Sequence, residues 1–123
     1  MSENHGIIWW SELMTDDPDA AKAWYAENMG WTFTSMDMGG GNGPYNVAHV
    51  NGAPIAGIMP RPDSMPKEIP AHWLTYVAVS DVDATVKAAP SVVAEPFDVP
   101  DVGRIAVIVD AGGATVGVMT PAG

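Results

Sequence analysis

An internal repeat constrains this chain more than any other feature, because a duplicated module fixes an architecture better than a sum of local propensities. At a constant offset of 64, the segment from Ile8 to Ala20 lies over the segment from His72 to Ala84. Trp9/Trp73, Asp17/Asp81, Asp19/Asp83 and Ala20/Ala84 are identical, and Ser11/Thr75 and Leu13/Val77 are close in kind. Further on, Gly57-Ile58-Met59-Pro60 matches Gly117-Val118-Met119 with Pro121 after it, at an offset of 60, so the second copy is about four residues shorter.

Each copy reads as strand, helix and three strands. In the first, a strand from Gly6 to Met14 leads to Asp17, a natural N-cap, with Pro18 at the first helical position, where its missing N–H costs nothing. The helix runs to about Met29 and Gly30 supplies its left-handed stop. Strands follow at 31–37, 45–50 and 53–59, the last two joined by the hairpin pair Asn51-Gly52, with Gly39-Gly40-Gly41-Asn42-Gly43 as an earlier turn. In the second copy a strand at 71–79 leads to Asp81, the cap of a helix of roughly two turns ended by Pro90. Strands at 91–97, 103–110 and 114–120 complete it, with Gly112-Gly113 as the last turn. The expected division is a first module at 1–60, a connector at 61–70 rich in proline, and a second module at 71–121.

Composition narrows the function classes. A chain of 123 residues with 47% hydrophobic residues, 16% charged residues and five tryptophans buries enough apolar surface to fold alone. Having no cysteine, it has no disulfide, thiolate metal site or cysteine nucleophile. No apolar run approaches the ~18 residues that span a bilayer, and MSENHGIIWW has no basic leader, so a soluble, cytoplasmic protein is expected. Fifteen acids against five bases give a net charge of -10, which repels phosphate backbones and anionic membranes. Neither nucleic acid nor membrane is an expected partner. Gly39-Gly40-Gly41 lacks the lysine and helix start of a phosphate loop, and no serine or threonine has the base and orienting partner of a nucleophile.

Two such copies, with Trp10-Ser11-Glu12-Leu13-Met14-Thr15-Asp16-Asp17 leading to Ala23-Trp24-Tyr25 and Gly30-Trp31, resemble the vicinal oxygen chelate superfamily. His72-Trp73-Leu74 running into Val79-Ser80-Asp81-Val82-Asp83-Ala84, then Val102-Gly103-Arg104, Asp110 and Gly113-Ala114, extend the resemblance over nearly the whole chain. The group includes glyoxalase I, bleomycin-resistance proteins and extradiol dioxygenases, and small glyoxalase-like members without an assigned substrate. The resemblance implies an α+β fold: two tandem βαβββ modules forming a curved, mostly antiparallel sheet around a pocket, with helices outside. It also implies a homodimer. Metal-dependent members hold a divalent cation on the first and fourth strand of each module, and those positions here are Trp10, Gly57, Leu74 and Gly117. None carries a donor for such a cation, so no metal and no other cofactor is expected. Glu12 and His72 lie beside the lost positions as a rearranged pair, but two ligands fall short of the usual three or more. His5 and His49 are joined by no ligand spacing.

Alternation along the strands puts Trp10, Glu12 and Met14 on one face, His72, Leu74 and Tyr76 on the matching face of the second copy, and adds Met59 and Met119. That lining suits a flat or conjugated molecule, while core filling by the same tryptophan and methionines is the plainer alternative. Glu12 stands out, since a carboxylate on an inward face is costly unless paired, hydrated or neutral. Burial beside Trp10 and Met14 raises its pKa and suits it to act as a general base; a structural pairing with Tyr76 or His72 is the competing account. Lys22 and Lys87 fall on helices and Arg61 and Lys67 in the connector, leaving Arg104 as the base in a strand. It either clamps a substrate carboxylate or pairs with Asp98, Asp101 or Asp110. The leading reading is a metal-free pocket that binds a small aromatic or conjugated molecule, by sequestration or acid–base chemistry. A metal-dependent lyase or dioxygenase with a rearranged site, and a non-catalytic interaction module, are the alternatives.

Overall fold

The computed structural model describes residues 4–37, 44–62, 68–99 and 102–122. The glycine-rich turn expected at 39–43 and the middle of the connector lie outside them. The chain divides into two compact units, Trp10–Trp73 and Met1–Trp9 with Leu74–Gly123.

The first unit carries β1 (Ile8–Thr15, whose first two residues belong to the other unit), α1 (Pro18–Met29), β2 (Thr32–Asp37), β3 (Pro44–Val50) and β4 (Ala53–Pro60). Its strands are ordered β2-β3-β4-β1, with β1 parallel to β4 and the other pairs antiparallel. The helix ends follow the capping rules. Asp17 accepts from the Ala20 N–H at 3.0 Å, Pro18 opens the helix, and Gly30 closes it at φ 73° with its N–H on the Ala26 carbonyl. Strand β1 starts later than expected because Gly6, at φ 90°, sits in a turn that no extended strand includes.

Helix α1 holds no buried residue of its own. Two contacts seat it instead. Lys22 donates to the side-chain oxygen of Asn46, which is 1% exposed, accepts also from Ser35 and donates to the Ile58 carbonyl, so a buried amide is satisfied. Tyr25 stacks on Trp31 at 4.7 Å and its hydroxyl accepts from Trp73 Nε1 at 3.0 Å. Asn46 thus marks the sheet face turned toward α1, and cross-strand register puts Ser35, Ala48, Ala56, Ile58 and Leu13 in phase with it. The opposite phase holds Trp10, Glu12, Met14, Met36, Tyr45, Gly57 and Met59.

The second unit holds β5 (His72–Ala78, whose first two residues belong to the other unit), α2 (Val82–Ala88), β6 (Ser91–Val99), β7 (Gly103–Val109) and β8 (Thr115–Pro121). The order is β5-β8-β7-β6, again with its first and last strand parallel and the rest antiparallel. Val79, Val82, Ala106, Ile108 and Val118 form its core, with Val86 and Ala89 packed against it. The short α2 therefore persists through burial rather than propensity. Where the repeat places the module boundary at the start of the chain, residues up to Trp9 cluster with this unit. Gly6 donates to the Ala78 carbonyl and Ala78 donates to that of Ile7, which ties them to β5. Among the described residues no helix is long and apolar enough to cross a membrane.

Candidate functional site

On the face of the first unit turned away from α1, three polar side chains make one line. Trp10 Nε1 donates to the Tyr45 hydroxyl at 2.9 Å, and that hydroxyl donates to Glu12 Oε2 at 2.8 Å. The direction follows from chemistry, because an indole N–H only donates and a carboxylate only accepts. All three residues are half-buried, with Met14 and Met59 in the same phase. Glu12 and Met14 sit opposite Gly57 and Met59 across the parallel pair β1 and β4. The carboxylate that composition singles out is therefore held by a phenol, not left exposed to apolar neighbours alone.

Gly57 makes that line possible. A β-carbon at this residue would fall 1.8 Å from the Tyr45 hydroxyl oxygen and 2.2 Å from Cζ, so the phenol lies directly over the glycine. In the second unit the same device recurs on its own: a β-carbon at Gly117 would fall 2.3 Å from Cδ1 of Tyr76, which pairs with it across β5 and β8. These are two of the four positions that the resemblance assigns to a metal. The donor set does not fit the group: Trp10 spends its N–H on Tyr45, Leu74 is apolar, and aromatic rings fill the space beside both glycines.

The other expected residues distribute as follows. Tyr76 and Met119 share the face of the second unit that carries Gly117, and both are buried. His72 places Nδ1 at 2.9 Å from the Pro70 carbonyl oxygen. His49 lies on the same face as Tyr45, with Nε2 at 3.0 Å from the Thr34 hydroxyl. His5 accepts from the Ser80 N–H at 2.9 Å and anchors the start of the chain.

Arg104 meets Asp98, one of the partners weighed for it, and adds Asp83. It points to the α2 side of its sheet, away from Tyr76 and Met119, because it is in phase with Ala106 of the core. Its guanidinium takes Asp83 of α2 at two nitrogens and Asp98 of β6 at a third. These bonds hold the Asp83 carboxyl below its ordinary range and the guanidinium above its own. Asp110 is engaged elsewhere, accepting from the N–H groups of Gly112 and Ala114 in a turn, and Asp101 lies outside the described residues. Arg104 borders a depression of about 460 Å³ with Ser80, Asp81, Asp83, Asp98 and Thr120, which is apart from the strand face bearing Tyr76.

The family model for the Glyoxalase/Bleomycin resistance protein/Dioxygenase superfamily matches residues 7–118. The chain is 42% identical over 112 residues to "Putative glyoxylase CFP32" of Mycobacterium bovis, covering 88% of this chain and 43% of that protein. It is 34% identical over 113 residues to "Anthracycline biosynthesis protein DauV" of Streptomyces sp. (strain C5), covering 89% and 39%. The chain thus spans less than half the length of these curated relatives. Among solved structures it is similar to methylmalonyl-CoA epimerase from Mycobacterium tuberculosis, with a TM-score of 0.69 at 19% identity over 100% of this chain and 93% of that one. The Streptomyces coelicolor methylmalonyl-CoA epimerase in complex with 2-nitronate-propionyl-CoA matches at 0.68 and 18% identity, over 98% and 100%. At that identity the likeness is one of fold.

Proposed function

The chain belongs to the Glyoxalase/Bleomycin resistance protein/Dioxygenase superfamily, and from that premise we propose that it binds a small aromatic or conjugated molecule without a metal, with Trp10 against the ring and Glu12 as proton acceptor. The observation that carries this reading is the line from Trp10 through the Tyr45 hydroxyl to Glu12. It fixes a carboxylate in orientation, beside an indole and two thioethers, on a sheet face rather than at a helix end. A positioned carboxylate within hydrogen-bond reach of a bound molecule can hold a donor or remove a proton next to a carbonyl. Turnover and sequestration share these contacts and differ in whether the bound proton is acidic enough to move. The relatives named for anthracycline biosynthesis are compatible with an aromatic ligand. A homodimer forms part of this reading, because Ile8, Trp24, Met29 and Phe97 are exposed apolar side chains that a second copy would cover.

Tryptophan fluorescence titrated against a panel of neutral aromatic compounds tests it. Binding is expected in the protein as purified and after dialysis against EDTA, with affinity lowered about tenfold or more in Trp10→Ala. A ligand that binds only after zinc, iron or manganese is added, or hits that bind Trp10→Ala and Glu12→Gln as tightly as the parent, would sink the proposal.

A further inference from the structure

Among the described residues Asn46 is the one buried polar residue, 1% exposed and in phase with Leu13, Ala48, Ala56 and Ile58, which are all buried. Its neighbours Tyr45 and Val47 are more apolar, yet they face the other way, toward Glu12. Burial alone therefore favours a register one residue over, with Tyr45 and Val47 against α1 and Asn46 outside. That register also needs no bulge. Residues 56–60 are paired with β1 and the Asn51-Gly52 turn pairs His49 with Pro54, so Ile55 is the extra residue that turns Asn46 inward.

The amide's partners offset this preference. Its oxygen accepts from Ser35 Oγ at 2.7 Å and from Lys22 Nζ at 3.2 Å, and its nitrogen donates to the Ile58 carbonyl at 3.1 Å. A buried amide held in this way costs little, whereas one whose oxygen has lost its donors bears the full penalty of lost hydration. Both donors come from outside the β3 and β4 hairpin. Ser35 is on β2, and Lys22 is on α1, where Asp19 also holds it at 3.4 Å. They lie on the far side of the sheet from Trp10, Tyr45 and Glu12.

We infer that Lys22 and Ser35 are positioning residues for the Trp10, Tyr45 and Glu12 line: by satisfying Asn46 they hold β3 in the bulged register, which carries Tyr45 onto Gly57. A slip of one residue sends Tyr45 to the α1 side, and both bonds of the line are then lost together. The inference rests on the proposed ligand site in its last step, from the line to binding.

Lys22→Met with Ser35→Ala removes both donors to the Asn46 oxygen, at one half-buried and one exposed position. A triple variant adds Asn46→Leu, which needs no donor and suits a buried apolar layer. Two readouts are taken on each: the nuclear Overhauser contact between the Gly57 α-protons and the Tyr45 ring, and a calorimetric titration of 2-naphthol at pH 7. The corresponding contact between Gly117 and the Tyr76 ring is the control. In the double variant the Gly57 contact is expected to disappear and the Gly117 contact to stay. Affinity for 2-naphthol is expected to fall about tenfold, the worth of a hydrogen bond to a charged group. In the triple variant both readouts are expected to return. Lys22→Met alone is expected to move them the same way by a smaller amount, and decides the matter if the double variant does not fold. A double variant that is less stable but keeps the Gly57 contact, or a triple variant that does not regain it, overturns the inference, because the network then only fastens α1 to the sheet. If the contact behaves as expected while 2-naphthol binds every variant equally, or does not bind the parent, the register step stands and the ligand-site reading fails.

Discussion

The Gly117→Ala substitution is expected to lower the unfolding free energy by about 2–3 kcal/mol, the upper part of the range for overpacking a filled interior. The added methyl would lie 2.3 and 2.4 Å from two ring carbons of Tyr76, well inside van der Waals contact. Neither side can give way cheaply. Tyr76 is 7% exposed, so its ring has no solvent to swing into, and the clash is at the near edge of the ring rather than at its hydroxyl. The backbone at Gly117 is pinned from both sides, by Tyr76 on β5 and by Val107 on β7. Urea unfolding followed by circular dichroism measures this directly. A loss under about 0.5 kcal/mol would mean that the packing around residue 117 is loose, contrary to the arrangement described.

Gly57→Ala is the instructive counterpart, and its effect is expected to fall on binding instead of stability. The methyl collides with the hydroxyl end of Tyr45, 1.8 Å from the oxygen, and Tyr45 is half-buried, so the phenol can rotate aside. Moving it breaks both bonds of the line at once and leaves Glu12 and Trp10 without their shared partner. A buried bond of this kind contributes about 1 kcal/mol net, but at these half-buried side chains water replaces much of what is lost, so stability falls less than the sum of the two. The expected result is a loss of about tenfold or more in affinity for a neutral aromatic ligand, with less than about 1.5 kcal/mol lost in unfolding free energy. Calorimetry and urea unfolding on the same sample give both numbers. Unchanged affinity would show that the Tyr45 hydroxyl has no part in the site.

Much of this fold is written in local chemistry. Asp17 with Pro18, Gly30, Asn51-Gly52 and Asp81 set element ends that a reader of the chain can place, and the offset of 64 lays β1 over β5 and the start of α1 over that of α2. Tyr45 was not legible, and the reason is a single extra residue. A hairpin closed by Asn51-Gly52 without irregularity pairs Asn46 with Gly57, which would turn Asn46 toward Glu12 and Tyr45 toward α1. The structure has a bulge between Ala48 and His49, so Val47 pairs with Gly57 and every residue before the bulge changes face. Tyr45 thereby joins Glu12, and Asn46 joins Lys22. Nothing in the local pattern from Tyr45 to Pro60 announces that slip. Gly57 and Gly117 were visible as residues unable to bind metal, but not as the floor on which two tyrosine rings lie, because glycine in a strand shows the space it leaves only when the neighbour is known. Arg104 illustrates the same boundary: its strand was readable, its face was not.

The central claim is that a ligand lies against Trp10 and Glu12, and the indole N–H signals of the five tryptophans report on it one by one. Trp24 is on α1, and Trp31 and Trp73 pack against Tyr25 of that helix, on the opposite side of the sheet from the Trp10 line. Titrating 2-naphthol into nitrogen-15-labelled protein is expected to shift the Trp10 indole resonance most, because its N–H bond to Tyr45 sits next to the bound ring, and to leave those of Trp24, Trp31 and Trp73 nearly still. In Glu12→Gln the Trp10 shift is expected to need a higher ligand concentration to saturate. A titration in which Trp24, Trp31 or Trp73 moves and Trp10 does not would contradict the account.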